Sequence, residues 1–301
     1  MVFNSFTFFI FFAIVMALHY SPLSWQIKKT NLLIASYMFY AAWHPPFVIL
    51  LLICTLADWF AGKGIAAART KMARRLFLAM ALSINLGMLG FFKYAYFLME
   101  NFIWLMSLIA IQYHPLKLDI VLPLGISFFT FQSLTYTLDI YKRKAVPWPS
   151  FLDYALFVSF FPKLVIGPIT RAFDFLPQCL NPTKIDTHKI ALGFSLLLLG
   201  LFEKMVMADS LLAPVADLLF NKTGNADTLS AWTGTLAFTG QIFFDFAGYS
   251  TCAIGAALCL GFSLPDNFKY PYAAVGFSDF WHRWHMTLSG WLRDYLYITL
   301  G

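Results

Sequence analysis

An all-α, polytopic membrane fold is what this sequence predicts, and three observations carry the prediction. Hydrophobic residues fill 60% of the 301 positions and charged residues only 12%, against about a quarter charged in ordinary soluble domains. The apolar residues come in runs that approach the roughly 20 residues a helix needs to cross the hydrocarbon core. The basic residues fall in short clusters between those runs, the pattern of cytoplasmic loops. A soluble fold of this composition has too few polar groups to cover its surface, whereas lipid accepts an apolar exterior.

The first run, Val2 to Tyr20, precedes the first lysine, Lys28. A secretory signal carries its positive charge ahead of the apolar core, so this run reads as a first membrane helix with its N-terminus outside. Further spans are predicted over Asn31 to Trp43, Phe47 to Ala61, Leu76 to Phe92, Val121 to Tyr141, Phe151 to Ile169, Ile190 to Met207 and Thr228 to Leu264. The last is long enough for two helices or one long bent helix. Asn101 to Tyr113 is apolar but short, so it is expected to lie in the interface or to re-enter.

Orientation follows from the basic clusters. One crossing puts Lys28-Lys29 inside, two more put Lys63 to Arg75 inside, and two more return Lys142-Arg143-Lys144 to the same side. The net charge of +6 is distributed in this way, with no basic face and no interleaved polar readers, so nucleic acid is not an expected partner. No linker divides the chain, and a single transmembrane domain over residues 1–301 is expected.

Several spans contain prolines: Pro45-Pro46, Pro123, Pro162, Pro168 and Pro214. LPLGISFF and FFPKLVIGPITR combine Pro and Gly at membrane depth. Broken backbone there requires burial in protein or a water-filled cavity, so an internal cavity and a packing kink are both open for each. Aromatic residues reach 19%, with 34 Phe, and are expected at lipid-facing and packing positions. The four cysteines, Cys54, Cys179, Cys252 and Cys259, form no CxxC pair and read as small packing residues. Asn221-Lys222-Thr223 fits a glycosylation sequon, a pattern short enough to occur by chance.

Ionisable side chains inside membrane segments are costly and mark functional positions by default. Asp58, Lys93, Asp139, Lys163, Glu203, Lys204, Asp209, Asp245 and His285 are such positions. Gln241 to Gly301 gathers the most polar groups among aromatics: Asp245, Tyr249, Asp266, Asn267, Asp279, His282, Arg283, His285, Arg293 and Asp294. His282 and His285 stand one helical turn apart, a spacing that could hold a metal, but no third ligand follows and none is expected. Acid/base chemistry by a neutral imidazole and simple anchoring among Trp281, Trp284 and Trp291 stay equally open. The chain has neither a P-loop nor a GxSxG elbow.

The strings GFFKY (90–94), LPLGISFFTFQSLTYTLDIY (122–141), FVSFFPKLVIGPITR (157–171), GLFEKMVMADSL (200–211), FFDFAGYS (243–250), LGFSLPDNFKYPY (260–272) and FWHRWHMTLSGWLRDYLYITLG (280–301) resemble the membrane-bound O-acyltransferase (MBOAT) family. The resemblance is to its alginate O-acetyltransferase (AlgI-like) branch. It implies roughly eight to ten transmembrane or re-entrant helices around a tunnel, in a bacterial inner membrane. It implies transfer of an acetyl or other acyl group from a cytoplasmic thioester, such as acetyl-CoA, to hydroxyls of a cell-envelope polysaccharide. A periplasmic acetyltransferase is the implied partner, and no bound cofactor is implied.

His285 falls on the family's WHxxL histidine. Gln241, Asp245, Tyr249, Asn267, Trp284, Arg293 and Asp294 are the residues expected to line the substrate path. The family's second histidine, the usual catalytic base, is implied beyond Gly301, so the chain is expected to be C-terminally incomplete and inactive alone. Thr251, Ala247, Thr299 and Lys163 depart from the family pattern and bear on fine specificity. A transporter or flippase for envelope cargo would also explain broken spans and buried charges, though no internal repeat supports it. A membrane scaffold that docks an envelope complex is a third reading.

Overall fold

The structure, a computed structural model, describes residues 2–109, 120–181, 186–220 and 227–300, with the side chain of Leu300 left aside. Helices build the whole of it, and no strand occurs among the described residues. α1 spans Phe6–Tyr20, α2 Trp25–Ala41, α3 Phe47–Ala67, α4 Lys71–Leu108, α5 Ile126–Tyr141 and α6 Phe151–Ser159. Short turns α7 (Phe161–Leu164) and α8 (Ala172–Phe175) lead to α9 (Thr187–Leu201), a π-helical stretch (Phe202–Leu212) and α10 (Ala213–Phe220). Then follow α11 (Thr228–Cys259), α12 (Phe277–Trp281) and α13 (Met286–Trp291). Phe47–Ala67, Lys71–Leu108, Thr187–Phe220 and Thr228–Cys259 are long and apolar enough to cross a membrane.

Local sequence sets where these helices begin. Ser5, Ser24, Thr70, Ser150, Asp186 and Asp227 each accept a backbone N–H of the first turn through the side chain, meeting donors that a helix start leaves free. Prolines stand at starts or between helices: Pro46 precedes α3, Pro162 lies in the first turn of α7, and Pro168 is in a loop. None of these three kinks a helix.

Polarity is distributed inside out. Phe6, Ile14, Met38, Ile49, Phe60 and Trp104 are exposed, while Ser36, Thr55, Asp58, Asn85, Gln132 and Thr137 are buried. An apolar exterior over a hydrogen-bonded interior is what lipid selects. Asp58 of α3 accepts from Asn85 of α4 and from Ser133 and Thr137 of α5. Lys29 of α2 pairs with Asp153 of α6, and both are buried. The Lys28-Lys29 cluster is thus only half a loop signal, because Lys29 turns inward. Arg74 donates to the Tyr141 carbonyl at 2.6 Å, which brings the second and third basic clusters together at one end.

Both Pro/Gly strings are buried against each other. A Cβ on Gly125 (φ +73°) would lie 2.7 Å from the Leu164 carbonyl oxygen. Tyr40 Oη donates to the Leu124 carbonyl at 3.0 Å, Gln132 Nε2 to the Phe157 carbonyl, and Ser36 Oγ accepts from Phe161 N at 3.1 Å. These side chains serve the backbone groups that the broken helix releases. The span predicted over Phe151 to Ile169 is accordingly two short helices and a loop.

α9 and α11 pack through a repeat of small residues. A Cβ on Gly193 would meet Cys259 at 2.6 Å and one on Gly200 would meet Cys252 N at 2.6 Å. Gly248 and Gly255 return the same contacts to the carbonyls of Gly200 and Gly193. The cysteines are packing residues here, and all four are free. Small side chains let two membrane helices approach to backbone contact, where dispersion replaces the missing hydrophobic drive.

One expectation changes. Asn101 to Leu108 continues α4 rather than forming an interfacial segment, because no breaker interrupts its helical run; the remainder of that segment from 110 onward lies outside the described residues, as does Asn221-Lys222-Thr223. Of the two alternatives for Thr228 to Leu264 the structure has the single long helix, which ends at Cys259.

Candidate functional site

Past α11 the chain turns at Gly261 (φ +80°) and runs back along the segment that precedes α13. Lys269 N donates to the Arg283 carbonyl and Met286 N to the Asn267 carbonyl, each at 2.9 Å. These two bonds hold residues 267–269 beside 283–286. His285 sits at the reversal with φ 42° and ψ 52°, immediately before α13. A left-handed backbone is uncommon outside glycine and costs on the order of 1–3 kcal/mol, so the fold imposes this conformation at the histidine.

The imidazole is buried between Phe246 of α11, edge to face at 4.7 Å, and Phe128 of α5, stacked at 6.1 Å. Its Nδ1 lies 2.9 Å from Asn267 Oδ1. The ring has no carboxylate partner among the described residues, and a neutral imidazole carries one N–H and one lone pair that can accept a hydrogen bond.

The other residues proposed from sequence divide into three groups. Trp284 joins the histidine's aromatic surroundings, with Phe268 at 5.1 Å, Phe280 at 5.5 Å and Phe243 at 6.3 Å. Arg293 and Asp294 bond to each other at 2.8 Å, and Asp294 also pairs with Arg171. Gln241, Asp245 and Tyr249 share one face of α11 by their spacing of four. Asp245 pairs there with Lys204, which also holds Asp209 at 2.8 Å, and Tyr249 packs on Phe3 at 5.7 Å. Glu203, next to Lys204, instead accepts from Thr251 at 3.2 Å.

A hollow of about 560 Å³ is lined by Arg171, Asp174, Asp266, His282, Thr287 and Arg293 among others. Thr287 links it to the histidine, since its Oγ1 donates to Asn267 Oδ1 at 2.9 Å. Sequence reasoning missed Arg171 and Thr287. Both stood inside quoted strings, but only the folded chain brings Arg171 to Asp294, 123 residues away.

His282 and His285 do not share a helical turn. His282 caps the end of α12 with its Nδ1 2.6 Å from the Ser278 carbonyl oxygen, and the chain reverses at His285. Among the described residues no three His, Cys, Asp or Glu side chains gather into a metal site.

Buried polar groups inside an apolar-surfaced helical bundle, with a buried histidine held at a chain reversal, define a polytopic membrane protein. The chain belongs to the membrane-bound O-acyltransferase family, whose profile matches residues 116–301. It is 41% identical over its whole length to the probable alginate O-acetylase AlgI of Pseudomonas putida, covering 61% of that protein. It is 38% identical to the peptidoglycan O-acetyltransferase of Helicobacter pylori over 91% of this chain and 56% of that protein. It is also 29% identical to the teichoic acid D-alanyltransferase of Bacillus subtilis over 58% of this chain and 45% of that protein. The chain thus spans about six tenths of the length of the first two curated relatives.

Proposed function

We propose that this protein is part of a membrane O-acyltransferase that moves an acetyl or other acyl group from a thioester such as acetyl-CoA to hydroxyls of a cell-envelope polysaccharide. The setting is a bacterial inner membrane with the N-terminus on the periplasmic side, and a periplasmic acetyltransferase partner completes the pathway. The relatives named for acetylation of alginate and peptidoglycan support this reading over a transporter.

The observation that carries it is the environment of His285. In the reaction a hydroxyl oxygen attacks the thioester carbonyl, the C–S bond breaks, and the thiolate leaves while the hydroxyl proton must be taken up. A buried neutral imidazole can accept that hydroxyl hydrogen bond, and its apolar walls keep water from the thioester. Gln241, Asp245, Tyr249, Asn267, Trp284, Arg293 and Asp294 are assigned to the substrate path or its support.

The test is polymer acetylation in cells that carry His285→Ala. The expected result is a loss of about 10²-fold or more. Unchanged acetylation with normal membrane insertion refutes the role.

A further inference from the structure

We propose that Asn267 and Thr287 are positioning residues that lock His285 in the tautomer with its proton on Nδ1, so that Nε2 is the nitrogen presented to the substrate. The proposal deepens the acyl-transfer reading and rests on it for the substrate.

Three contacts converge on Asn267 Oδ1: His285 Nδ1 at 2.9 Å, Thr287 Oγ1 at 2.9 Å and Thr287 N at 3.4 Å. A backbone N–H only donates, so the face of the amide toward Thr287 is its oxygen and not its NH2. The Thr287 hydroxyl accepts from Ile169 N at 3.1 Å, and its own hydrogen points to Asn267. The amide orientation is thereby fixed by groups other than the histidine. A carbonyl oxygen only accepts, so His285 Nδ1 must donate. A neutral imidazole has a single N–H, which leaves the lone pair on Nε2. Nε2 makes no hydrogen bond among the described residues.

Three separate parts of the chain supply the latch. Ile169 comes from the buried GPIT loop, Asn267 from the segment after α11, and Thr287 from the first turn of α13. Asn267 adds a second hold, since its own carbonyl accepts from Met286 N at 2.9 Å. Its Nδ2 is buried with no hydrogen-bond partner, so the amide is held by its oxygen alone. Ile169 and Thr287, two of the three residues of the latch, also line the 560 Å³ hollow. An outer partner that sets ring orientation and tautomer is a recurrent device for working histidines.

The test is nitrogen NMR on the ¹⁵N-histidine-labelled protein in lipid at neutral pH, with His285 assigned by its loss in His285→Gln. The expected spectrum shows a protonated Nδ1 and an unprotonated Nε2. In Asn267→Ala the proton moves to Nε2 or divides between the two nitrogens. Acyl transfer by that variant falls about 10- to 100-fold in kcat, with KM for the thioester little changed, and Thr287→Ser retains activity that Thr287→Val loses. An Nε2–H tautomer in the unmodified protein overturns the proposal without any variant having to fold. So does an unchanged Nδ1–H tautomer in Asn267→Ala. If the expected tautomer is found while His285→Ala acetylates normally, the latch stands and the acyl-transfer reading is the one that fails.

Discussion

Asn85 donates its amide hydrogen to the Asp58 carboxylate at 2.7 Å across the α3–α4 interface, in a site with no accessible surface. Ser133 and Thr137 donate to the same carboxylate from α5. One acidic side chain therefore ties three helices together from the inside. Asp58→Ala removes the shared acceptor of three buried hydrogen bonds, and each buried donor left unpaired costs about 1–3 kcal/mol. The expected outcome is a marked loss of folded protein in detergent, measured by fluorescence-detected size exclusion. Asp58→Asn keeps a carbonyl acceptor and is expected to lose much less.

The Lys29–Asp153 pair is a second internal tie. Trp148 Nε1 donates to the same aspartate at 3.2 Å, and the Cys179 carbonyl accepts from Lys29 at 3.2 Å. Breaking a buried pair from one side strands the other charge, at about 3–5 kcal/mol. Lys29→Met and Asp153→Leu should each destabilise strongly. The double substitution should cost less than their sum in a thermal double-mutant cycle.

Lys163 makes a contrasting case. Its ammonium bonds to the Thr170 hydroxyl and lies 4.3 Å from the ring centroids of Phe157 and Phe175, with no carboxylate partner among the described residues. Cation–π contact recovers only part of the hydration lost on burial. Lys163→Met, close in volume, is expected to hold or raise the melting temperature. A large drop in that temperature would show that the ammonium has a stronger partner than these.

Packing of α9 on α11 depends on the absence of side chains. Gly200→Leu is expected to part the helices and abolish the folded fraction, since even a Cβ there would lie 2.6 Å from backbone. Gly87→Ala, with nothing within 4 Å, serves as the tolerated control. Yield of monodisperse protein separates the two.

The class of fold and the neighbourhood of the site were legible in the residues alone. Composition and apolar run length required helices in lipid, because no other exterior could be covered. The Pro/Gly strings marked the buried breaks, and the polar string from Gln241 onward contained His285, Asn267 and Trp284. Periodicity also put Cys252 and Cys259 on one helical face. Pairing across distance was left to the tertiary structure. Lys29 read as a loop charge until Asp153 met it inside, and His282 read as a neighbour of His285 until the backbone reversed between them. Arg171 and Thr287 stood in strings that resemble the family, but their spacing marked neither as a site residue. Hydropathy and spacing report which face of a helix avoids water, a property of neighbouring residues. Which donor meets which acceptor depends on close packing between segments over a hundred residues apart, and only the folded chain brings those together.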